Sequence, residues 1–119
     1  MKVTAFRFKM YPNDFDKVRA FYASELGFKV THEWNRSKDD RGVMFDVGGT
    51  TLELLTREEP YQTLIGCDLS LEVDDVHELY GLLKDKEYTT RELINNPWGD
   101  TSFRIVDPEG LQISLFTRN

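Results

Sequence analysis

The side chains that carry out covalent or metal chemistry are scarce in this chain and stand apart from one another. It has one cysteine, Cys67, and two histidines, His32 and His77. His32 falls in the middle of an expected strand and His77 follows Val76 on an expected helix. Neither has a second imidazole at ligand spacing, so each reads as a satisfied or solvated side chain. Cys67 precedes Asp68 and, by strand alternation, points to the opposite face, where it reads as a small buried hydrophobe rather than a nucleophile. No Ser-His-Asp or Cys-His arrangement is visible in the sequence. Two tryptophans remain as candidates for contact with a flat ligand. Trp98 stands between Pro97 and Gly99 in a loop, where it reads either as a plug over the core or as a ligand platform, and Trp34, closing an expected strand, carries the same two readings.

The composition narrows what such residues could serve. A chain of 119 residues with 39% hydrophobic and 30% charged content is expected to fold as one globular domain, residues 1–119, without a disulfide or a structural metal. Its 21 acidic residues outnumber 15 basic ones, giving a formal charge of −6, and the basic residues are spread along the chain, which excludes a nucleic-acid partner. The acidic balance reads as solubility or, more sharply, as a surface that attracts cationic ligands. No apolar run approaches the roughly 20 residues that span a bilayer, and Met1, Lys2 and Val3 begin no signal-peptide core. A protein without a membrane partner, in a reducing cytoplasm that suits a lone cysteine, is the expectation.

Ten elements must position these residues. Val3 to Met10 alternates like a strand, and Asp14 caps a helix carrying Phe15, Val18, Phe21 and Tyr22 on one face, closed by Gly27. Phe28 to Trp34, Val43 to Val47 and Thr51 to Thr56 read as strands, the last two joined by the Gly48-Gly49 turn. After the polar stretch Arg57 to Thr63 the order recurs. Asp68 to Val73 is a strand, Asp74 or Asp75 starts a helix with Val76, Leu79, Tyr80 and Leu83 inward, and Tyr88 to Leu93, Thr101 to Val106 and Leu111 to Thr117 are strands. The fold class is therefore α+β, with one βαβββ unit in residues 1–56 and a second in 65–119.

The two units share a register. Asp14 and Asp75, Asp46 and Asp107, and Gly49 and Gly110 are each 61 residues apart (75−14, 107−46, 110−49). At the same offset Val18 matches Leu79, Phe21 matches Leu82, Leu52 matches Ile113 and Leu54 matches Leu115, which points to a duplicated unit.

Asp14 to Val30, DFDKVRAFYASELGFKV, resembles the first helix of the vicinal oxygen chelate superfamily, the glyoxalase, bleomycin-resistance and dioxygenase proteins. The matches continue with LEL at Leu52 to Leu54 and SLEVDDV at Ser70 to Val76. Asn95 to Ser114, NNPWGDTSFRIVDPEGLQIS, resembles the bleomycin-resistance branch in particular, through its PWG followed by a DPxG turn. The resemblance implies that each unit curls its strands into a half-barrel, that the two halves join around a cleft, and that chains pair as homodimers.

It also implies a set of positions. The metal enzymes of the superfamily carry ligands at four strand positions that map here to Arg7, Glu53, Asp68 and Ser114, where 68−7 and 114−53 are again 61. Alternation sets these four opposite Phe6, Phe8, Leu52, Leu54, Leu69, Leu71, Ile113 and Leu115, which would pack under the helices. Lys9, Thr51, Ser70, Glu72, Gln112 and Phe116 share the cleft-facing parity. Only Glu53 and Asp68 are metal ligands by type. Arg7 has no lone pair to donate, and a guanidinium about 4 Å from a divalent ion at an effective dielectric near 20 would repel it by roughly 8 kcal/mol. Arg7 is expected instead to fork to Asp68, Glu53 or both, either as an internal ion pair or as a ligand contact.

The reading that follows is a metal-independent, cofactor-free protein that binds a small molecule, such as a cationic antibiotic or metabolite, in a cleft lined by Arg7, Glu53, Asp68, Ser114, Trp98, Trp34 and Phe116. The alternative is a lyase, isomerase or dioxygenase of the same superfamily with a degenerate metal site, or with Glu53 or Asp68 in acid-base chemistry.

Overall fold

Asp14 begins the first helix as its sequence position requires, accepting the Lys17 amide at 3.2 Å. The computed structural model describes residues 1–57 and 66–119 and divides the chain into two compact units, Met1–Gln62 and Thr63–Asn119. Beyond Arg57, the polar connection expected over Arg57 to Thr63 lies outside the described residues.

In the first unit the order is β1 (Arg7–Met10), α1 (Phe15–Ala20), a π-helical segment (Phe21–Glu25), β2 (Lys29–Ser37), β3 (Asp40–Val47) and β4 (Thr50–Leu55). In the second it is β5 (Asp68–Glu72), α2 (Val76–Leu83), β6 (Thr89–Asn95), β7 (Asp100–Val106) and β8 (Gln112–Arg118). The sheets follow one plan, β1-β4-β3-β2 and β5-β8-β7-β6. In each, the first strand runs parallel to the last and the remaining pairs are antiparallel. Two βαβββ units are therefore present, as the repeat implied.

The core of each unit lies between its helix and one sheet face. Val18, Tyr22, Val43, Phe45 and Leu54 are fully buried in the first, and Val76, Ile105 and Ile113 in the second. The helices differ in one respect. In the first, the Leu26 amide bonds the Phe21 carbonyl at 3.0 Å, five residues back, and the π-widening accommodates one extra residue in the turn. Both Phe21 and Tyr22 are thereby buried, and Tyr22 stacks on Phe28 with centroids 5.7 Å apart. The second helix has no such widening. Leu83 turns inward, while Leu82, matched to Phe21 by the constant offset, is 69% exposed. Charged pairs fasten the first helix to its sheet, since Arg41 binds Asp16 at 2.8 Å and Arg19 binds Glu33 at 2.9 Å. These hydrogen bonds hold both carboxyls below the ordinary carboxylate range.

The strands correct several expectations. β1 begins at Arg7 rather than Val3, and Phe6, expected under the helix, is 67% exposed because it precedes the paired residues. β2 runs on to Ser37, so Trp34 lies within a strand instead of ending one. Cys67, just ahead of β5, is exposed rather than buried. The equivalence of Asp46 and Asp107 also fails by one residue. Phe45 pairs with Leu52 and Ile105 with Ile113; 113−52 is 61 but 105−45 is 60. The second hairpin loop holds the extra residue.

That residue changes how the turn is made. Val47 pairs with Thr50 across Gly48 and Gly49, whose φ values of +58° and +85° form a two-residue loop matched to strand twist. The longer DPEG loop is organised by Asp107, 3% exposed, whose carboxylate accepts the Glu109 and Leu111 amides at 2.8 and 3.0 Å. Asp46 accepts only the Gly49 amide, at 3.1 Å and in solvent. Replacing Asp107 by Ala strands buried donors and is expected to cost about 1–3 kcal/mol in urea unfolding, against under about 1 kcal/mol for Asp46→Ala. Equal losses at the two sites would contradict the distinction.

Candidate functional site

Each sheet leaves the face opposite its helix to other uses, and the expected site residues carried by strands lie there. In the first unit, β1 runs beside β4 with Arg7 opposite Thr51 and Lys9 opposite Glu53. Arg7 thus reaches Glu53 on the diagonal, Nη1 to Oε1 at 3.9 Å. The distance is an ion pair rather than a hydrogen bond. The Glu53 side chain is 6% exposed and its Oε1 has no hydrogen-bond partner, whereas the Arg7 side chain is 57% exposed. A buried carboxylate oxygen without a donor is costly, and it is the least satisfied acid described here.

Trp34 shares this face but is a locked side chain. Its ring lies on Gly42, its cross-strand partner, where any Cβ would collide with the indole. His32 packs beside it at 5.5 Å between centroids, and the Arg36 guanidinium stands 5.8 Å from the ring centre. The Arg36 fork holds the Asp40 carboxyl below its usual range, and the Trp34 side chain adds to that effect.

In the second unit, β5 runs beside β8 with Asp68 opposite Gln112 and Ser70 opposite Ser114, so Asp68 and Ser114 repeat the diagonal of Arg7 and Glu53. Asp68 is exposed. Ser114 lines a concavity of about 210 Å³ together with Ser70, Phe116, Trp98, Arg91 and Arg104, among others. The expected residues Ser114, Trp98 and Phe116 are therefore brought together. Arg7 and Glu53 are also brought together, in the first unit, while Trp34 and Asp68 join neither group.

The β6–β7 loop explains the Trp98 placement. Asn96 is buried and donates from Nδ2 to Asp100 Oδ1 at 2.8 Å and to Ser102 Oγ at 2.9 Å. The other oxygen of Asp100 accepts the Trp98 indole N–H at 3.1 Å. Gly99, at φ +106°, completes the turn. One carboxylate so orients a tryptophan that is 73% exposed, which excludes the reading of Trp98 as a core plug.

Sequence reasoning missed Arg91, Arg104, Asn96 and Asp100. Arg104 was within reach, because Thr101, Phe103 and Ile105 are the buried positions of β7 and alternation puts Arg104 on the face of Ser114. Arg91 was not, since register shifts flank it on both sides of β6 and bulges redirect side chains without a sequence mark.

The four positions that the resemblance assigns to a metal do not fit one. In the first unit a cation without lone pairs already faces the carboxylate, and in the second Ser114 offers a neutral hydroxyl beside an exposed acid. Among the described residues, no three His, Cys, Asp or Glu side chains gather at ligand spacing. No described helix is long and apolar enough to cross a membrane.

Comparison with known proteins agrees with this architecture. TnmS3, an antibiotic binding protein from Streptomyces sp. CB03234, is 26% identical, with 100% of this chain and 99% of that one covered and a TM-score of 0.76. A glyoxalase/bleomycin resistance protein/dioxygenase superfamily member from Sphaerobacter thermophilus DSM 20745 is 23% identical over 99% of both chains, at 0.74. Lactoylglutathione lyase from Agrobacterium tumefaciens is 21% identical over 98% of this chain and 95% of that one, at 0.72. The last two likenesses, below 25% identity, speak for the fold. No curated protein matches the chain. The Glyoxalase/Bleomycin resistance protein/Dioxygenase family model matches residues 4–115, and the chain, with its two βαβββ units, belongs to that superfamily.

Proposed function

We propose that the protein binds a small molecule bearing a flat apolar group, without a metal or other cofactor, and that Trp98 and Phe116 are its contact surface. The observation that carries this is an exposed tryptophan held in place by Asp100 at the rim of a concavity lined by hydroxyls, amides and guanidinium groups. Exposing an indole is unfavourable, and fixing its orientation suits recognition better than solubility. Likeness to an antibiotic binding protein supports a binding role. The donor set at Arg7, Glu53, Asp68 and Ser114 supports metal independence. We place the protein in the cytoplasm, in keeping with its single cysteine.

Titration with flat aromatic compounds is expected to change tryptophan fluorescence equally with and without chelator, in protein shown metal-free by elemental analysis. Trp98→Ala should weaken binding roughly tenfold while leaving stability within about 0.5 kcal/mol, because the side chain is largely solvated. Binding that requires a divalent metal, or that survives Trp98→Ala unchanged, would overturn the reading.

A second reading rests on Glu53, whose buried Oε1 faces Arg7 without accepting a hydrogen bond and so suits a general base in a lyase or isomerase. In that case Glu53→Gln abolishes turnover of the substrate and leaves binding of the aromatic ligand at Trp98 intact. If Glu53 is purely structural, the variant changes stability alone.

We propose further that the chain forms a homodimer. Supporting this are β1 and β5, each an edge strand of its sheet with one side unpaired among the described residues, and the solvated Val3 and Phe6 ahead of β1. Sedimentation equilibrium at micromolar concentration is expected to give twice the chain mass of 13.9 kDa; a single species at the chain mass would contradict it.

A further inference from the structure

Arg91 on β6 and Arg104 on β7 are direct cross-strand partners, and both line the concavity of the second unit. Like charges directly opposite one another weaken the pairing of the strands that carry them. Each Nε is shielded from solvent and donates to nothing, and neither guanidinium has an ion-pair partner among the described residues. Arg41 Nε is likewise shielded and without an acceptor, but its two Nη atoms bind Asp16. Arg7, Arg19, Arg36 and Arg118 also face carboxylates. The one acid lining the same concavity, Asp100, gives its oxygens to Asn96 and Trp98. The bulges of β6 on either side of Arg91 keep this residue paired with Arg104 where the neighbouring register slips.

Two guanidinium groups that line one concavity, neither ion-paired among the described residues, describe the complement of an oxyanion. Planar guanidinium groups suit an acidic group that accepts two parallel hydrogen bonds. The concavity, at about 210 Å³, is smaller than the roughly 300–1,000 Å³ that encloses a whole drug-sized ligand. It accommodates an anchoring group, with the body of the ligand lying against Trp98 and Phe116 at its edge. The net charge of −6 favoured a cation, but remote surface charges are screened within about 10 Å, and groups in contact with the ligand decide its sign.

We propose that this site takes a planar aromatic acid, with Arg91 and Arg104 binding its oxyanion and Trp98 and Phe116 its ring. The proposal rests on the small-molecule reading above and adds the ligand's charge and its anchor. Calorimetric titration of the whole chain with 2-naphthoate, neutral 2-naphthamide, cationic 2-naphthylmethylammonium and inorganic sulfate tests it. Naphthoate should bind at least roughly tenfold more tightly than the amide and weaken with added salt. Arg91→Gln and Arg104→Gln should each lower naphthoate affinity roughly tenfold to a hundredfold. Their melting temperatures should be no lower than that of the unmodified protein, because a repulsive pair has been relieved; a purely structural role predicts the reverse. Arg118→Gln, which removes the same charge from an exposed pair with Glu72, should leave affinity nearly unchanged. Should a glutamine variant fail to fold, Arg91→Lys and Arg104→Lys, which keep the charge and lose the planar fork, carry the same comparison. Equal binding of the amide or the ammonium, or unchanged naphthoate binding by the arginine variants, overturns the anionic anchor and leaves the small-molecule reading standing. Sulfate binding as tightly as naphthoate overturns the aromatic half. Failure of all four probes overturns both readings.

Discussion

A strand turns successive side chains to opposite faces, and in each unit of this protein a single helix covers only one face of the sheet. Everything else follows from that constraint. The helix side is filled by Val18, Tyr22, Phe45 and Leu54 in one unit and by Val76, Phe103, Ile105 and Ile113 in the other, where apolar burial stabilises the fold by roughly 25 cal/mol per Å². The other face is populated by the alternate residues of the same strands, and these are chemically mixed: Arg7, Lys9, Met44 and Glu53 in the first unit, Ser70, Arg104, Ser114 and Phe116 in the second. The apolar core and the chemically mixed residues are divided between the two sides of one sheet, so that the mixed face can change with little effect on the core.

The duplication carries the same logic through the chain while allowing the two faces to differ. Parallel pairing of β1 with β4 and of β5 with β8 keeps Arg7 to Glu53 and Asp68 to Ser114 in the same diagonal relation. What occupies those positions decides the chemistry. An arginine and a buried acid neutralise each other in the first unit. A serine beside two unpaired arginines leaves positive charge in the second. The loop following β6 then adds a tryptophan fixed by a carboxylate, which turns a polar depression into a site with an aromatic edge.

Much of this was legible in the sequence because its causes are local. Asp14 and Asp75 read as helix caps because a short acid accepts amides that the first turn leaves free. Gly48-Gly49 reads as a tight hairpin because only glycine takes two successive positive φ values without strain. The 61-residue offset holds for β1 and β4 against β5 and β8. It failed where one residue was gained without a sequence signature, in the π-turn that buries both Phe21 and Tyr22 and in the longer loop at Asp107. The candidate site was half visible for the same reason. Ser114 and Phe116 follow from alternation, whereas the pairing of Arg91 with Arg104 depends on bulges, and the exposure of Trp98 depends on a carboxylate four residues after Asn96. Overall charge pointed to a cation, since composition reports the sum and a site reports its nearest groups.

Side-chain NMR reads the proposed recognition on the open face of the second unit at the residues themselves. In spectra that resolve arginine Nε–H and tryptophan indole N–H groups, titration with 2-naphthoate is predicted to shift the signals of Arg91, Arg104 and Trp98 together, with one shared affinity, while Arg118 stays in place. Shifts confined to Arg7 and Trp34 in the first unit, or a response of Trp98 without either arginine, would contradict it.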